Sequence, residues 1–279
     1  QPMLSSTGRY VISYNGELYN QAELKEGLAK SGWTSEWRGH SDTETLLACV
    51  ETYGVERTLS KIVGMYAIAL WDRRERSFIL ARDRLGEKPL YFGLQNNRWF
   101  FTSELKALIQ NPYFVPHIDR NAICLQLRYG YIPAPYTIYQ GIHKLSPGSF
   151  LRLDDSSYVK PYWSYADAVL AGKRNPVCGS DRERLDFLDK ELSQSIRSQM
   201  QADVPLGAFL SGGVDSSLIV AMMQEYSTSK IRTFSIGFED EQFNEAPFAR
   251  AVADHVGTEH TELYISGAQA LGIVPRLSE

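Results

Sequence analysis

Cysteine is scarce in this chain. Cys49, Cys124 and Cys178 are odd in number and widely separated along 279 residues. They make neither a disulfide framework nor a zinc-binding pattern, so a reducing compartment, the cytoplasm, is expected. Long apolar runs are missing as well. None approaches the roughly 18 residues of a membrane span, and nothing at the N-terminus resembles a signal peptide, so no membrane partner is expected. Charge of one sign is not in excess. A formal net charge of −4 leaves no footprint for nucleic acid. Internal repeats and low-complexity tracts are absent. So is Gly-x-x-x-x-Gly-Lys-Ser/Thr, which excludes the phosphate loop of kinases and GTPases.

What is present is a chain of 43% hydrophobic residues, long enough for two domains with sizeable cores. Its two halves differ in texture. Residues 1–165 read as strands with a few helices between them. Arg9 to Tyr14 alternates as a strand, and Gln21 to Ser31 has helical spacing. Ser41-Asp42-Thr43-Glu44 reads as a capping box opening a helix that Gly54 closes. Strand-like runs follow over 65–72, 78–83, 90–94, 99–102 and 150–153, with Asn96-Asn97 as a hairpin turn. Many hairpin-linked strands with few helices suggest a layered α+β domain. Residues 166–182, with Gly172, Pro176 and Gly179, read as a linker. From 183 to 279 helices and strands alternate, which argues a doubly wound, mostly parallel α/β sheet.

Within that second half, Phe209-Leu210-Ser211-Gly212-Gly213-Val214-Asp215-Ser216-Ser217 leads from a short apolar run into a helix-like segment. Small and hydroxylic residues between a strand and a helix let backbone N–H groups converge on an anion, and the helix N-terminus adds partial positive charge. The run Ser-Gly-Gly-x-Asp-Ser-Ser resembles the pyrophosphate loop of enzymes that adenylate a carboxylate. A second set of signals lies upstream, in the order Gln1-Pro2-Met3, Tyr14-Asn15-Gly16-Glu17-Leu18-Tyr19-Asn20, His40-Ser41-Asp42-Thr43-Glu44 and Ala81-Arg82-Asp83-Arg84-Leu85-Gly86-Glu87-Lys88-Pro89-Leu90-Tyr91.

Together these motifs resemble the glutamine-hydrolysing asparagine synthetases of the bacterial B type over nearly the whole chain. The resemblance implies an N-terminal-nucleophile hydrolase-like, class II glutaminase domain. After it would come an adenine nucleotide α-hydrolase-like synthetase domain, incomplete within this chain. It further implies that Asn15 and Gly16 form an oxyanion hole, that Glu17 helps hold glutamine, and that Asp42 meets the α-ammonium group. Ser211, Gly212, Gly213, Asp215, Ser216 and Ser217 would cradle the pyrophosphate of ATP, with Leu210 alongside and Asp215 as the Mg²⁺ ligand. Phe209 and Ile236 would line the adenosine pocket, with plain core strand an equal alternative.

Implied small-molecule partners are glutamine, ATP and an acceptor carboxylate, by default aspartate; a homodimer is left open. The family's nucleophilic cysteine and its Arg-Gly-Pro-Asp segment find no match here, and the three cysteines present are expected to be inert. The chain alone is therefore expected not to turn glutamine over. Phe243-Asn244-Glu245 departs from the family's Tyr-Asp-Glu by the loss of a charge. His255 and His260 read as structural, and Arg82, Asp83, Arg84 and Lys88 as a solvated or domain-contacting charge network. Two further readings stand beside the main one. One is a non-catalytic glutamine- or nucleotide-sensing remnant of the same fold, the other an amidotransferase acting on a sugar acid.

Overall fold

The structure, a computed structural model, describes residues 1–153, 158–202 and 204–277. The chain divides into two compact units, Gln1–Pro176 and Val177–Glu279.

The first unit begins with β1 (Met3–Leu4) and β2 (Tyr10–Leu18), followed by α1 (Gln21–Lys30), α2 (Asp42–Tyr53) and α3 (Val55–Lys61). Next come β3 (Gly64–Asp72), β4 (Ser77–Arg82), β5 (Tyr91–Gln95) and β6 (Arg98–Thr102). The unit ends with α4 (Leu105–Ile109), α5 (Arg120–Tyr129), β7 (Ile142–Lys144), β8 (Ser149–Leu153), β9 (Tyr158–Pro161) and α6 (Tyr165–Arg174). One sheet has the order β1-β2-β3-β4-β8-β9, all antiparallel, and a second has β6-β5-β7.

The period-2 alternation of a strand sends successive side chains to opposite faces, and in the central strands both faces are apolar. Tyr10, Ile12, Tyr14, Tyr66, Ile68, Leu70 and Ile79 point toward Leu24, Leu28, Leu46, Leu47 and Val50 of α1 and α2. Ala67, Ala69, Leu80 and Leu151 occupy the opposite face, against Leu90, Phe92 and Leu145 from around the second sheet. A sheet covered on both sides must carry hydrophobic residues in both registers, and β3 does.

Three local expectations need correction. Ser41 caps α2 by accepting from Thr43 N–H at 3.2 Å, but Glu44 does not close the box. Its carboxylate instead accepts from the N–H groups of Arg38 (2.9 Å) and Gly39 (3.1 Å), tying down the chain before the helix. The segment read as a linker holds α6, whose cap is Ser164, and Gly172 lies inside that helix. The Arg82–Lys88 cluster is not a solvated charge network. Asp83 is fully buried and accepts from the N–H groups of Tyr66, Leu85, Glu87 and Lys88 at 2.9–3.2 Å. Arg82 donates to the carbonyls of Gly86, Lys88 and Leu145. Both charges fold the 82–90 turn onto the sheet.

In the second unit α7 (Asp181–Gln199) starts at a complete capping box of Ser180 and Glu183. Then follow β10 (Gly207–Phe209), α8 (Val214–Tyr226), β11 (Arg232–Phe238), α9 (Ala246–Val256), β12 (Glu259–Ile265) and α10 (Gly267–Ile273). The strands pair in parallel in the order β10-β11-β12. Parallel neighbours require crossover connections, here supplied by α8 and α9.

Candidate functional site

Two constellations stand out, one in each unit. In the first, β2 carries Asn15, Gly16 and Glu17. Tyr14 is bracketed by the Gln1 side chain, which donates to its carbonyl (2.7 Å) and accepts from its N–H (2.6 Å). Two residues after Gly16, the Leu18 N–H donates to Asp42 Oδ2 at 2.9 Å. Strand N–H groups alternate sides, so the Gly16 N–H points the same way as those of Tyr14 and Leu18, away from β3. It lies between the Gln1 amide and the Asp42 carboxylate. A Cβ on Gly16 would run into the Met65 carbonyl and the Cα of Tyr66, so any other residue there forces the two strands to shift. That close approach, rather than an unusual φ, is what requires glycine.

The Asn15 side chain is exposed and its Nδ2 donates to Ser103 Oγ at 3.2 Å. Glu17 is half-buried two residues further on, and so on the same face. Asp42, in the first turn of α2, also accepts from the buried Tyr14 hydroxyl at 3.0 Å. Burial, and then the Asp42 charge, push the Tyr14 phenol well above its ordinary range, so it remains a neutral donor. One oxygen of Asp42 is thus held by two donors, which fixes the carboxylate against the end of β2. Sequence reasoning missed the bracing residues Gln1, Tyr14 and Ser103. Gln1 and Tyr14 did lie inside quoted motifs, whereas Ser103 carried no signal.

None of the cysteines joins this constellation. Cys49 is fully buried in α2, and burial pushes its thiol up to about 12. Cys124 and Cys178 are exposed, on α5 and near the unit boundary.

In the second unit, residues 211–213 turn from the end of β10 into α8. Leu210 is buried and its N–H donates to the Phe234 carbonyl at 2.9 Å. Gly212 adopts a φ of +80°, and a Cβ there would lie 2.6 Å from Phe248 Cβ and 2.7 Å from Ala249 N. Glycine is therefore demanded twice, by conformation and by contact with α9. Ser211 Oγ lies 2.9 Å from Ser216 Oγ and accepts from the Gly213 N–H at 3.3 Å, an internal clasp. The loop, residues 241–244 and the start of α9 border an open hollow of about 470 Å³, lined by Ser211, Gly212, Gly213, Gln242, Asn244, Phe248 and two carboxylates, Glu241 and Glu245. No side chain caps the N-terminus of α8, so its first N–H groups remain available to an anion.

Asp215 is exposed in the first turn of α8 and has no hydrogen-bond or ion-pair partner among the described residues. Ser217 Oγ is buried and unpartnered among them too. Phe209 and Ile236 are 82% and 50% exposed, on the face of the sheet opposite α9. Asn244 uses its side chain to accept from the Ala246 N–H at 3.2 Å, capping α9. No group of three or more His, Cys, Asp or Glu residues arranged for a metal occurs among the described residues. No helix there is long and apolar enough to cross a membrane.

Residues 1–163 match the glutamine amidotransferase domain family, and residues 188–279 match the asparagine synthase family. An antiparallel amidotransferase unit thus precedes a parallel α/β synthase unit. The chain belongs to the glutamine amidotransferase domain family through its first unit, and its second unit is similar to the asparagine synthases. It is 34% identical over 281 residues to asparagine synthetase 1 (glutamine-hydrolysing) of Bacillus subtilis, covering 99% of this chain and 42% of that protein. A protein of Methanocaldococcus jannaschii assigned to the same enzyme class is 35% identical over 261 residues, covering 91% of this chain and 48% of the other. The chain therefore spans less than half the length of these relatives. Among solved structures, the Bacillus subtilis glutamine phosphoribosylpyrophosphate amidotransferase superposes with a TM-score of 0.42 at 15% identity, over 99% of this chain and 76% of that one.

Proposed function

We propose that the first unit binds glutamine and the second binds ATP, for an amidotransferase that converts aspartate to asparagine. The observation that carries the glutamine half is the row of N–H groups along β2. The N–H groups on either side are taken, by Gln1 and by Asp42, and that of Gly16 lies between them with the Asn15 amide next in sequence. Two neutral donors so placed can receive the alkoxide that forms when a nucleophile adds to the glutamine amide carbon. Asp42 would hold the α-ammonium and Glu17 the remainder of the substrate. The nucleophile would be the cysteine that the resemblance implies, since Cys49, Cys124 and Cys178 stand outside this constellation.

In the second unit the loop 211–217 would cradle the phosphates of ATP. Asp215 fits Mg²⁺, since that ion takes one or two carboxylates and completes its shell with phosphate oxygens and water. When bound, Mg²⁺ would neutralise phosphate charge. Phe209 and Ile236 offer apolar surface to the adenosine. The acceptor carboxylate would attack the α-phosphate of ATP and release pyrophosphate, and ammonia from glutamine would then attack the acyl-adenylate, giving the amide and AMP. Calorimetric titration with MgATP tests the nucleotide half. Binding should weaken at least tenfold in Asp215→Ala, with the melting temperature unchanged. Equal binding by the variant removes Asp215 from the metal role, and no binding by the wild type contradicts the nucleotide reading.

A further inference from the structure

The face of β11 covered by α9 is polar, while the face left open carries Phe234, Ile236 and Phe238. A parallel sheet is ordinarily apolar on both faces, so it is the polar residues on the covered face that call for an explanation. On the covered face Thr233 is fully buried and Ser235 is 7% exposed. The neighbouring β12 places His260 and Glu262 opposite them, with side chains 9% and 11% exposed. Polar groups are costly to bury unless each finds a partner, and here each does. Thr233 Oγ1 lies 2.9 Å from His260 Nδ1 and 2.8 Å from Thr258 Oγ1. His260 Nε2 is 3.5 Å from both Ser235 Oγ and Glu262 Oε1. Glu262 takes a two-pronged contact from Arg250 of α9, with Nε at 2.7 Å and a shorter second bond.

The other end of this chain of contacts is the Ser235 hydroxyl, which donates to the Leu210 carbonyl at 2.5 Å. Leu210 immediately precedes Ser211. The network thus reaches both walls of the 470 Å³ hollow: the loop through Ser235, and α9 through Glu262 and Arg250. Gly212 packs directly on Phe248 and Ala249, so a small shift of either wall changes the cradle. We infer that Ser235 and His260 are positioning residues that hold the 210–213 backbone and α9 in the arrangement an anionic ligand requires. Preorganised donors bind without first being ordered, which is where such bracing acts. The inference rests on the nucleotide reading of the loop for its ligand, but its structural part stands apart from that reading.

The test uses the full chain and three variants, Ser235→Ala, His260→Ala and Ile231→Ala. Ile231 is buried with Ile196, Met222 and Met223 at the other end of the sheet, so its truncation controls for lost stability. Amide hydrogen exchange at Leu210 and Ser217 reads the loop whether or not nucleotide binds. Both amides should exchange at least tenfold faster in the first two variants, and within twofold of wild type in Ile231→Ala once global unfolding is subtracted. MgATP affinity should fall about tenfold in the first two and stay within twofold in the third. His260→Gln, whose carboxamide restores a side-chain donor and acceptor, should recover part of the loss. Loop exchange unchanged in Ser235→Ala and His260→Ala would overturn the inference. So would affinity losses that simply follow melting temperature across all three. Wild type that binds no MgATP would defeat the ligand assignment while the exchange data still decide the bracing.

Discussion

Neighbouring residues on β2 answer to different forces, and substitution separates them. Asn15 is exposed and makes one side-chain hydrogen bond, to Ser103. Asn15→Ala should leave stability within about 0.5 kcal/mol while lowering glutamine hydrolysis by the full-length protein roughly 10²–10³-fold. Gly16→Ala should do the opposite first: a Cβ against the β3 backbone should cost about 1–3 kcal/mol by overpacking, read as a shifted denaturant midpoint. The cysteines sort by burial. Cys49, with its thiol raised to about 12, should resist iodoacetamide until the chain unfolds, whereas exposed Cys124 should react in the native state. Peptide mass mapping distinguishes the two. Glycine at these positions was legible as a motif letter, but its cause, contact with another strand or helix, is tertiary and leaves no local trace.

At the scale of elements, capping chemistry made α2 readable from Ser41 and Gly54, and the hairpin between β5 and β6 was readable from Asn96-Asn97, both at positive φ. Glu44 illustrates the limit. Its spacing fits a capping box, yet Arg38 and Gly39, which precede the helix, present better-placed donors. Helix α6 was obscured by Gly172 and by the absence of any buried residue to give it an apolar stripe. Asp83 was misread for a similar reason, since a charge between two arginines looks solvated until its four N–H partners are seen. Asp83→Asn should destabilise the first unit by about 3 kcal/mol or more, because a carboxamide cannot accept at both of its ends. In the second unit, the hydrogen bonds from Arg250 hold the Glu262 carboxyl below its ordinary 4.5. A depressed carboxylate contributes stability that is complete above its unfolded pKa and lost as the pH falls through the folded one. The melting temperature of wild type should therefore approach that of Glu262→Gln as the pH drops below about 4.5, and exceed it at neutral pH.

For the molecule as a whole, the change of texture from hairpins to alternating strands and helices marks two units of different architecture. Order of motifs, more than any one of them, made that division legible: Asn15-Gly16 alone is an ordinary turn dipeptide, and a strand entering a glycine turn is common. Hidden from the sequence were the supports Gln1 and Tyr14 around the first constellation and Ser235 beneath the second, together with the partners of His260, which the sequence marked as structural without showing what it holds. They act through contacts between distant segments. On the proposed function, glutamine and ATP are handled at separate sites, centred on Asn15-Gly16 and on the 211–217 loop. The most direct test supplies the full-length protein with amide-labelled glutamine, MgATP and aspartate, and follows label into asparagine together with pyrophosphate. Asn15→Ala should abolish label transfer yet still make asparagine when free ammonia is added, whereas Asp215→Ala should abolish pyrophosphate release with either nitrogen source. Label transfer undiminished in Asn15→Ala, or pyrophosphate release undiminished in Asp215→Ala, would contradict it.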